Sequence, residues 1–205
     1  MKLKYTAPTL LTVLILAISL SAVSAQPHGY GTFIGTAKPT RFEGRTVVYM
    51  SSTMVPSNWN TLTWGYFVSY TLRGLTLDQL TVLATDYYIQ TSGGCGGGSP
   101  RFSIAMSNGK QVHVYVGPAP NFVDGPTEQW LSTGNLVTDP DLRWDSSQLG
   151  GPWYGSYAQA VALANAQGLT IDAIFLGVDG GWMTPGYLQT ILFSDIQVNN
   201  VIRFP

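Results

Sequence analysis

Apolar residues recur at every second position in several segments of the chain, which is the pattern of a strand with one buried face. From Leu62 to Tyr70 every second residue is apolar or aromatic. The segments Arg101–Met106 and Gln111–Val116 alternate in the same way and flank the dipeptide Asn108-Gly109. Because Asn-Gly favours the tight turn of a β-hairpin, these two segments are predicted to pair as antiparallel neighbours.

One segment has a helical period instead. Its apolar positions follow the spacing i, i+3, i+4 and i+7: Tyr157, Ala160, Val161 and Ala164. Ser156 stands where an N-cap residue is needed, and Gly168 follows the last turn. A single short helix is therefore predicted near residues 156–166.

The remaining pattern predicts an all-β protein. Residues 171–178 form a run that is apolar except for Asp172, which is typical of a central strand covered on both faces. About ten short strands, separated by Gly and Pro turns, favour a two-sheet antiparallel sandwich. We expect residues 46–205 to form this single domain and residues 26–45 to form an extended N-terminal arm or a first edge strand.

Residues 1–25 have the pattern of a secretory signal peptide. Lys2 and Lys4 give a positive start, no charge occurs from there to Ala25, and Val23-Ser24-Ala25 is a suitable cleavage triplet. Cleavage before Gln26 would make the protein secreted or cell-surface. The alternative is an uncleaved membrane anchor, because the uncharged run approaches the ~20 residues that span a bilayer. No second hydrophobic span follows, so no membrane contact is expected after cleavage.

The low charge of the chain excludes several classes of protein. Only 10% of its 205 residues are charged, against roughly 25% in an average soluble domain. A disordered chain and a coiled coil both need a different composition, and a net charge of −1 gives no basic field for nucleic acid. Cys95 is the only cysteine, so no disulfide can form within the chain. Two interpretations of Cys95 stay open, a buried thiol in a glycine-rich loop and a disulfide between two chains.

The sequence shows no catalytic constellation. His28 and His113 are the only histidines and Gly-x-Ser-x-Gly does not occur, whereas a serine hydrolase needs a nucleophile, a histidine base and an acid together. Cys95 and two distant histidines also lack the spacing of a zinc site. Glycoside hydrolysis needs two carboxyl groups across a cleft, and the aspartates keep it as an alternative without singling out a pair. We therefore predict a non-catalytic protein with no catalytic residues.

Three aspartates lie close together in the sequence: Asp139, Asp141 and Asp145. Calcium takes hard oxygen ligands from loops, so one interpretation is a calcium site that stabilises an exported fold without disulfides. The other is a solvated turn in which Arg143 forms ion pairs with two of the carboxylates. The segment lacks the glycine and the glutamate of a helix–loop–helix calcium loop.

Six tryptophans are unusual for a chain of this length: Trp59, Trp64, Trp130, Trp144, Trp153 and Trp182. Trp64 is predicted to lie in the core because it belongs to an alternating segment. Tryptophans near Gly and Pro turns suggest a binding site, because the C–H face of a sugar ring stacks on flat aromatic rings while Asp or Asn accepts hydrogen bonds from its hydroxyls. The predicted ligand-binding residues are Trp153, Tyr154, Asp179, Trp182 and Asn121. The alternative is that loop tryptophans only close the ends of the sandwich.

Residues 188–199, LQTILFSDIQVN, resemble the last strand of concanavalin A-like jelly rolls. Residues 98–104 and the combination of Trp130 with residues 133–136 also resemble exported bacterial and archaeal β-sandwich proteins. The resemblance covers about Val47 to Val198. It implies the jelly-roll sandwich that lectins, laminin-G-like modules and carbohydrate-binding modules share.

The resemblance supports a fold more than an activity. Jelly-roll glucanases carry two catalytic glutamates on one strand as Glu-x-Asp-x-Glu. Glu43 and Glu128 are the only glutamates, and neither stands in that pattern. The resemblance therefore argues against that enzyme branch.

These observations lead to two functional hypotheses. The first is a secreted carbohydrate-binding, lectin-like protein whose partner is a glycan held by the loop aromatics and Asp179. The second is a structural subunit of an extracellular filament or surface layer that self-associates through residues 26–40, with Tyr30, Phe33 and Ile34 donated as a strand to a neighbour.

We expect the mature protein to begin at Gln26, because an uncharged core is followed by a cleavage triplet at Val23-Ser24-Ala25. N-terminal sequencing or the intact mass of exported material measures this directly. Retention of Met1 in that material would contradict it and would favour the uncleaved anchor.

Overall fold

The computed structural model describes residues 31–54, 62–90, 94–96, 98–181, 186, 188–200 and 202–204. In chain order these residues form the strands β1 (Thr32–Gly35), β2 (Lys38–Phe42), β3 (Arg45–Thr53), β4 (Gly65–Ser69), β5 (Leu83–Ile89), β6 (Arg101–Met106), β7 (Gln111–Tyr115), β8 (Trp130–Ser132), β9 (Trp144–Asp145), β10 (Ile171–Val178), β11 (Leu188–Val198) and β12 (Ile202–Phe204). The α-helix α1 (Tyr157–Ala166) lies between β9 and β10.

The strands form two antiparallel sheets, which confirms the predicted all-β sandwich. Sheet 1 has the order β1-β4-β10-β6-β7-β9, and sheet 2 has the order β2-β3-β11-β5-β8, with β12 paired to β11. Along the described strands the chain crosses between the sheets seven times: from sheet 1 to sheet 2 after β1, β4, β7 and β10, and from sheet 2 to sheet 1 after β3, β5 and β8. The last long strands, β10 and β11, therefore occupy the middle of their sheets.

The predicted hairpin and the predicted helix are both confirmed. Strands β6 and β7 pair antiparallel, with Phe102 opposite Val114 and Ile104 opposite Val112. Helix α1 begins after Ser156, whose side chain accepts a hydrogen bond from the Gln159 backbone N–H. Among the described residues, no helix is long and apolar enough to cross a bilayer.

Among the tryptophans that the structure describes, Trp144 rather than Trp64 is the one buried in the core. Trp144 is fully buried, and its Nε1 donates to the Leu136 carbonyl at 3.1 Å. On β4 the residue that points into the core is Phe67, whereas Trp64 is half-buried. The alternation from Leu62 to Tyr70 is real, but its aromatic face is the outer face of sheet 1.

The described part of the N-terminal arm belongs to the sandwich. Strands β1 and β2 both lie within residues 26–45, and each is an edge strand of its sheet. β1 pairs with β4 and β2 pairs with β3 of the same chain.

A buried amide joins the two sheets at one end of the sandwich. Gln189 of β11 is fully buried. Its Oε1 accepts hydrogen bonds from Ser99 Oγ (2.8 Å) and the Gly180 backbone N–H (3.1 Å). Its Nε2 donates to the carbonyls of Gly94 (2.8 Å) and Ser99 (3.1 Å). Because Ser99 precedes β6 and Gly180 follows β10, one side chain of sheet 2 fixes two strand ends of sheet 1.

We expect Gln189→Leu to lower the free energy of unfolding by at least about 3 kcal/mol, because several buried backbone groups lose their partners and each costs about 1–3 kcal/mol. Urea denaturation measures the change. Gln90→Leu is the control, because the Gln90 side chain is exposed near the same end of the sandwich. Equal, small effects of the two substitutions would show that the amide does not hold the loops.

Candidate functional site

The outer face of sheet 1 carries a row of four cross-strand neighbours. Tyr66 of β4 lies opposite Gly177 of β10, Gly177 lies opposite Arg101 of β6, and Arg101 lies opposite Tyr115 of β7. We call these four residues, with Asp179, the outer row. Three interstrand spacings of roughly 4.8 Å make the row about 14 Å long.

An ion pair occupies the middle of the outer row. Arg101 Nη1 donates to Asp179 Oδ1 at 2.7 Å, and Nη2 faces the other carboxylate oxygen. Tyr66 donates its hydroxyl hydrogen to Asp179 Oδ2 at 2.7 Å. The Arg101 and Asp179 side chains are 18% and 20% exposed. Both partners are thus shielded from most of the solvent yet reachable by a ligand.

Burial and charge act together on this group. Burial, and then the Asp179 carboxylate, raises the pKa of Tyr66 above its ordinary value, so the hydroxyl stays a proton donor. Burial by itself lowers the pKa of Arg101, but Asp179 together with Tyr66 and Tyr115 outweighs burial, so that the pKa is raised and the guanidinium stays charged. The backbone N–H of Asp179 donates to Ser99 Oγ at 3.0 Å, which links the outer row to Gln189.

Gly177 makes room for the ring of Tyr66. A Cβ atom at this position would overlap Cε1 and Cδ1 of that ring. Tyr66 therefore lies directly over the backbone of β10. Its ring also contacts Phe175 edge-on at a centroid distance of 6.1 Å and Trp64 at 5.4 Å. The outer row thus continues into an aromatic surface on the β4 side.

A second aromatic group continues the row beyond Tyr115. The rings of Tyr115, Phe122 and Tyr154 contact one another at centroid distances of 5.8, 6.0 and 5.7 Å. Phe122 has a left-handed backbone, with φ of 56°, which costs a residue with a bulky side chain about 1–3 kcal/mol. Tyr154 and the adjacent Trp153 are 56% and 66% exposed. The exposed end of the surface is therefore aromatic.

A Ser, a His and an Asp lie in the next cross-strand row, but they do not form a catalytic triad. Ser103 Oγ lies 2.9 Å from His113 Nδ1, whereas the carboxylate of Asp145 accepts hydrogen bonds from Tyr115 and from the backbone of Ser147. The other imidazole nitrogen faces Gln148 Nε2 at 3.3 Å. A triad needs the acid on one imidazole nitrogen and the nucleophile on the other, and here no acid takes that place.

The aspartate cluster forms ion pairs with Arg143 instead of converging on one point. Arg143 Nε lies 2.8 Å from Asp139 Oδ2, and Nη2 lies 3.3 Å from Asp141 Oδ2. Asp145 points to the outer face of sheet 1, where Tyr115 holds it. Within the described ranges, no group of three or more His, Cys, Asp or Glu side chains is placed to hold a metal ion. Asp139 and Asp141 therefore form ion pairs with Arg143, as the second interpretation of this segment predicts.

The predicted ligand-binding residues fall into three groups. Tyr154 and Asp179 belong to the surface around the outer row. Trp153 and Asn121 are exposed next to Tyr154 and Phe122 in the sequence. Trp182 lies outside the described residues, as does Trp59, which was not among the predicted ligand-binding residues. Cys95 is a buried free thiol, and burial raises the pKa of this thiol to about 12.

Sequence reasoning missed Tyr66, Arg101 and Tyr115 as site residues. A signal for them was present, because alternation places each of them on the face of its strand that is opposite the core residues. Arg101 faces away from the core residue Phe102, as the alternation of residues 101–106 predicts.

Comparison of the chain with protein-family models, with curated proteins and with solved structures finds no match.

We expect the stability of the protein to fall as the pH is lowered from about 6.5 towards 4. Burial, and then the nearby Arg101 charge, lowers the pKa of His113 from 6.5 to about 4, while Asp145 and Asp179 act in the opposite direction. Between these two values the unfolded state binds the proton and the folded state does not, so acid favours unfolding. Above pH 6.5 this contribution is fully retained.

The test is the difference in Tm between the native protein and His113→Gln, measured as a function of pH. The carboxyl groups of the protein titrate in both proteins, so their contribution cancels in this difference. The difference should shrink below pH 6.5 as the native protein loses the contribution of a neutral imidazole. An imidazole pKa above 6, measured by NMR for the folded protein, would overturn the expectation.

Proposed function

We propose that this is a secreted or cell-surface, lectin-like protein that binds a carbohydrate along the outer row of sheet 1 without catalysing a reaction on it. The observation that carries the proposal is the composition of that face. Aromatic rings flank a fixed, partly exposed Arg101–Asp179 pair on the outer face of sheet 1. The proposal includes a jelly-roll connection, which the resemblance of residues 188–199 implies.

The chemistry of the row suits a sugar. Pyranose rings present apolar C–H faces, and aromatic side chains offer flat surfaces for them at small conformational cost. Each sugar hydroxyl can both donate and accept a hydrogen bond. A guanidinium beside a carboxylate can therefore donate to one hydroxyl while the carboxylate accepts from the neighbouring one. The carboxylate and guanidinium are already held by Tyr66, the Gly98 carbonyl and Ser99. A ligand therefore meets groups that are oriented before it binds.

The length of the surface favours an extended ligand over a single ring. The outer row covers about 14 Å, and Tyr154 and Trp153 extend it past β7. A polysaccharide or oligosaccharide chain running across the strands would contact both aromatic groups and the ion pair between them.

The charge pattern supports binding rather than hydrolysis. Glycoside hydrolysis needs one carboxyl group that keeps a proton and one that is free to attack or to activate water. Asp179 is neutralised by Arg101 and accepts the Tyr66 hydroxyl. Asp145 accepts bonds from Tyr115 and Ser147. Both carboxylates of this face are therefore committed to holding neighbouring groups in place.

We expect Tyr154→Ala to weaken carbohydrate binding by about 1–3 kcal/mol, if sugar stacking resembles the stacking of bases on aromatic side chains. A glycan array with the mature protein identifies the ligand, and isothermal titration then gives the affinity. The Tm should change little, because this side chain is 56% exposed.

Tyr70→Ala is the matched control. Tyr70 is also 56% exposed, but it lies at the far end of β4 from Tyr66. The control should keep full affinity. Equal losses in both variants, or no binding on the array by the folded protein, would contradict the proposal.

A further inference from the structure

The outer face of sheet 2 carries its own aromatic layer. Tyr49, Leu192, Tyr88 and Trp130 are successive cross-strand neighbours on β3, β11, β5 and β8. Leu192 and Tyr88 are buried although they point away from the core between the sheets. This layer has no counterpart among the sequence predictions and no part in the proposed function.

A cavity of about 350 Å³ opens beside this layer. We call it the sheet 2 pocket, and its lining residues are Arg45, Thr46, Asp86, Ser194 and Asp195. It combines two carboxylates and one guanidinium with the hydroxyl of Ser194. The core of the sandwich, roughly 10 Å thick, separates it from the outer row.

Arg45 is held in place at the pocket by two contacts. Its guanidinium carbon lies 5.0 Å from the centroid of the Trp130 ring, and Nη1 lies 4.0 Å from Asp86 Oδ2. The Arg45 side chain is nevertheless 50% exposed and that of Asp86 is 28% exposed. Donor N–H groups and an acceptor carboxylate therefore face the cavity side by side and remain reachable.

Ser194 supplies an unpaired hydroxyl at the wall of the pocket. Its side chain is 1% exposed, and its Oγ has no hydrogen-bond partner among the described residues. Its position on β11, opposite Asp86 of β5, places it on the outer face of sheet 2. A buried hydroxyl without a partner is unfavourable for folding, so its retention here points to a partner from outside the chain.

The backbone next to Ser194 is also unusual. A bulge interrupts the pairing of β11 with β5 between Ser194 and Gln197, and Asp195 has a left-handed backbone with φ of 48°. Bulges re-aim side chains at functional positions. Here the bulge brings the Asp195 carboxylate into the lining of the pocket.

We propose that the sheet 2 pocket binds a single cyclic polyol, of the size and chemistry of one monosaccharide unit. The guanidinium donates to ring hydroxyls, the two carboxylates accept from them, and Ser194 completes the set. The two carboxylates would repel an anion, and the guanidinium of Arg45 would repel a metal cation. A neutral, hydroxyl-bearing ligand therefore fits the pocket best. The inference does not rest on the outer row; with both sites, the protein has two binding faces that point in opposite directions.

The test is an NMR titration of the ¹⁵N-labelled mature protein with glucose, galactose, mannose and N-acetylglucosamine, each added separately. The sugar concentration reaches about 100 mM, because a single-ring sugar that makes few contacts binds with a dissociation constant in the millimolar range or above. At least one sugar should shift the amide resonances of Arg45, Asp86 and Asp195 in a saturable way. Ser194→Ala should weaken that binding at least about fivefold and leave the Tm unchanged or higher, because the removed hydroxyl has no partner within the protein. Asp86→Asn should weaken sugar binding more than Ser194→Ala does.

Ser132→Ala is the control, because Ser132 lies opposite Asp86 on the same face but outside the pocket. Tyr154→Ala should leave the pocket resonances unaffected, so failure at either site is distinguishable from failure at the other. The proposal is wrong if none of the four sugars shifts these resonances, if Ser194→Ala binds as tightly as the native protein, or if Ser194→Ala lowers the Tm, which would give the hydroxyl a role in the fold.

Discussion

The buried amide of Gln189 is the interaction on which both the packing of the sheets and the geometry of the outer row depend. A carboxamide in the interior is favourable only when every donor and acceptor is satisfied, and here all four positions are used. Its partners are backbone and hydroxyl groups at the ends of β6 and β10, the strands that carry Arg101 and lead to Asp179. The hydrogen bond from the Asp179 backbone to Ser99 Oγ then fixes the carboxylate relative to the guanidinium. A chain without internal disulfides thus orients its candidate site through one side chain of the opposite sheet.

The position of β10 and β11 makes this arrangement cooperative. These two strands come late in the chain, yet each lies between strands that come much earlier. Neither sheet can be completed before they are in place, and contacts between residues distant in sequence are entropically costly to form. The same event that fills the centre of both sheets also brings Asp179 to Arg101 and Gln189 to Ser99. Folding and assembly of the outer row are therefore one process.

Both sheets carry aromatic residues on their outer faces, and this explains the high aromatic content better than a core alone does. The core between the sheets takes Trp144, Phe67, Phe102 and Phe193. Sheet 1 adds Tyr66, Phe175 and Tyr115 outside, and sheet 2 adds Tyr49, Tyr88 and Trp130. On sheet 1 the exposed ring of Tyr154 and the half-buried ring of Tyr66 are available for a flat, partly apolar ligand, whereas Tyr88 and Tyr115 are buried within their layers.

The sequence by itself determined the elements that depend on neighbouring residues. The period of two and Asn108-Gly109 specified the hairpin of β6 and β7, and the cap at Ser156 with helical spacing specified α1. The tertiary structure decided which face of each strand meets the other sheet and which distant residues become neighbours, because local sequence patterns carry no information on either. An alternating pattern shows which residues share a face of the strand, but it does not show which of the two faces meets the other sheet. For this reason Trp64 was assigned to the core, although Phe67 occupies it. The partners of Asp179 lie 78 and 113 residues away, at Arg101 and Tyr66, and only the strand order of sheet 1 brings them together.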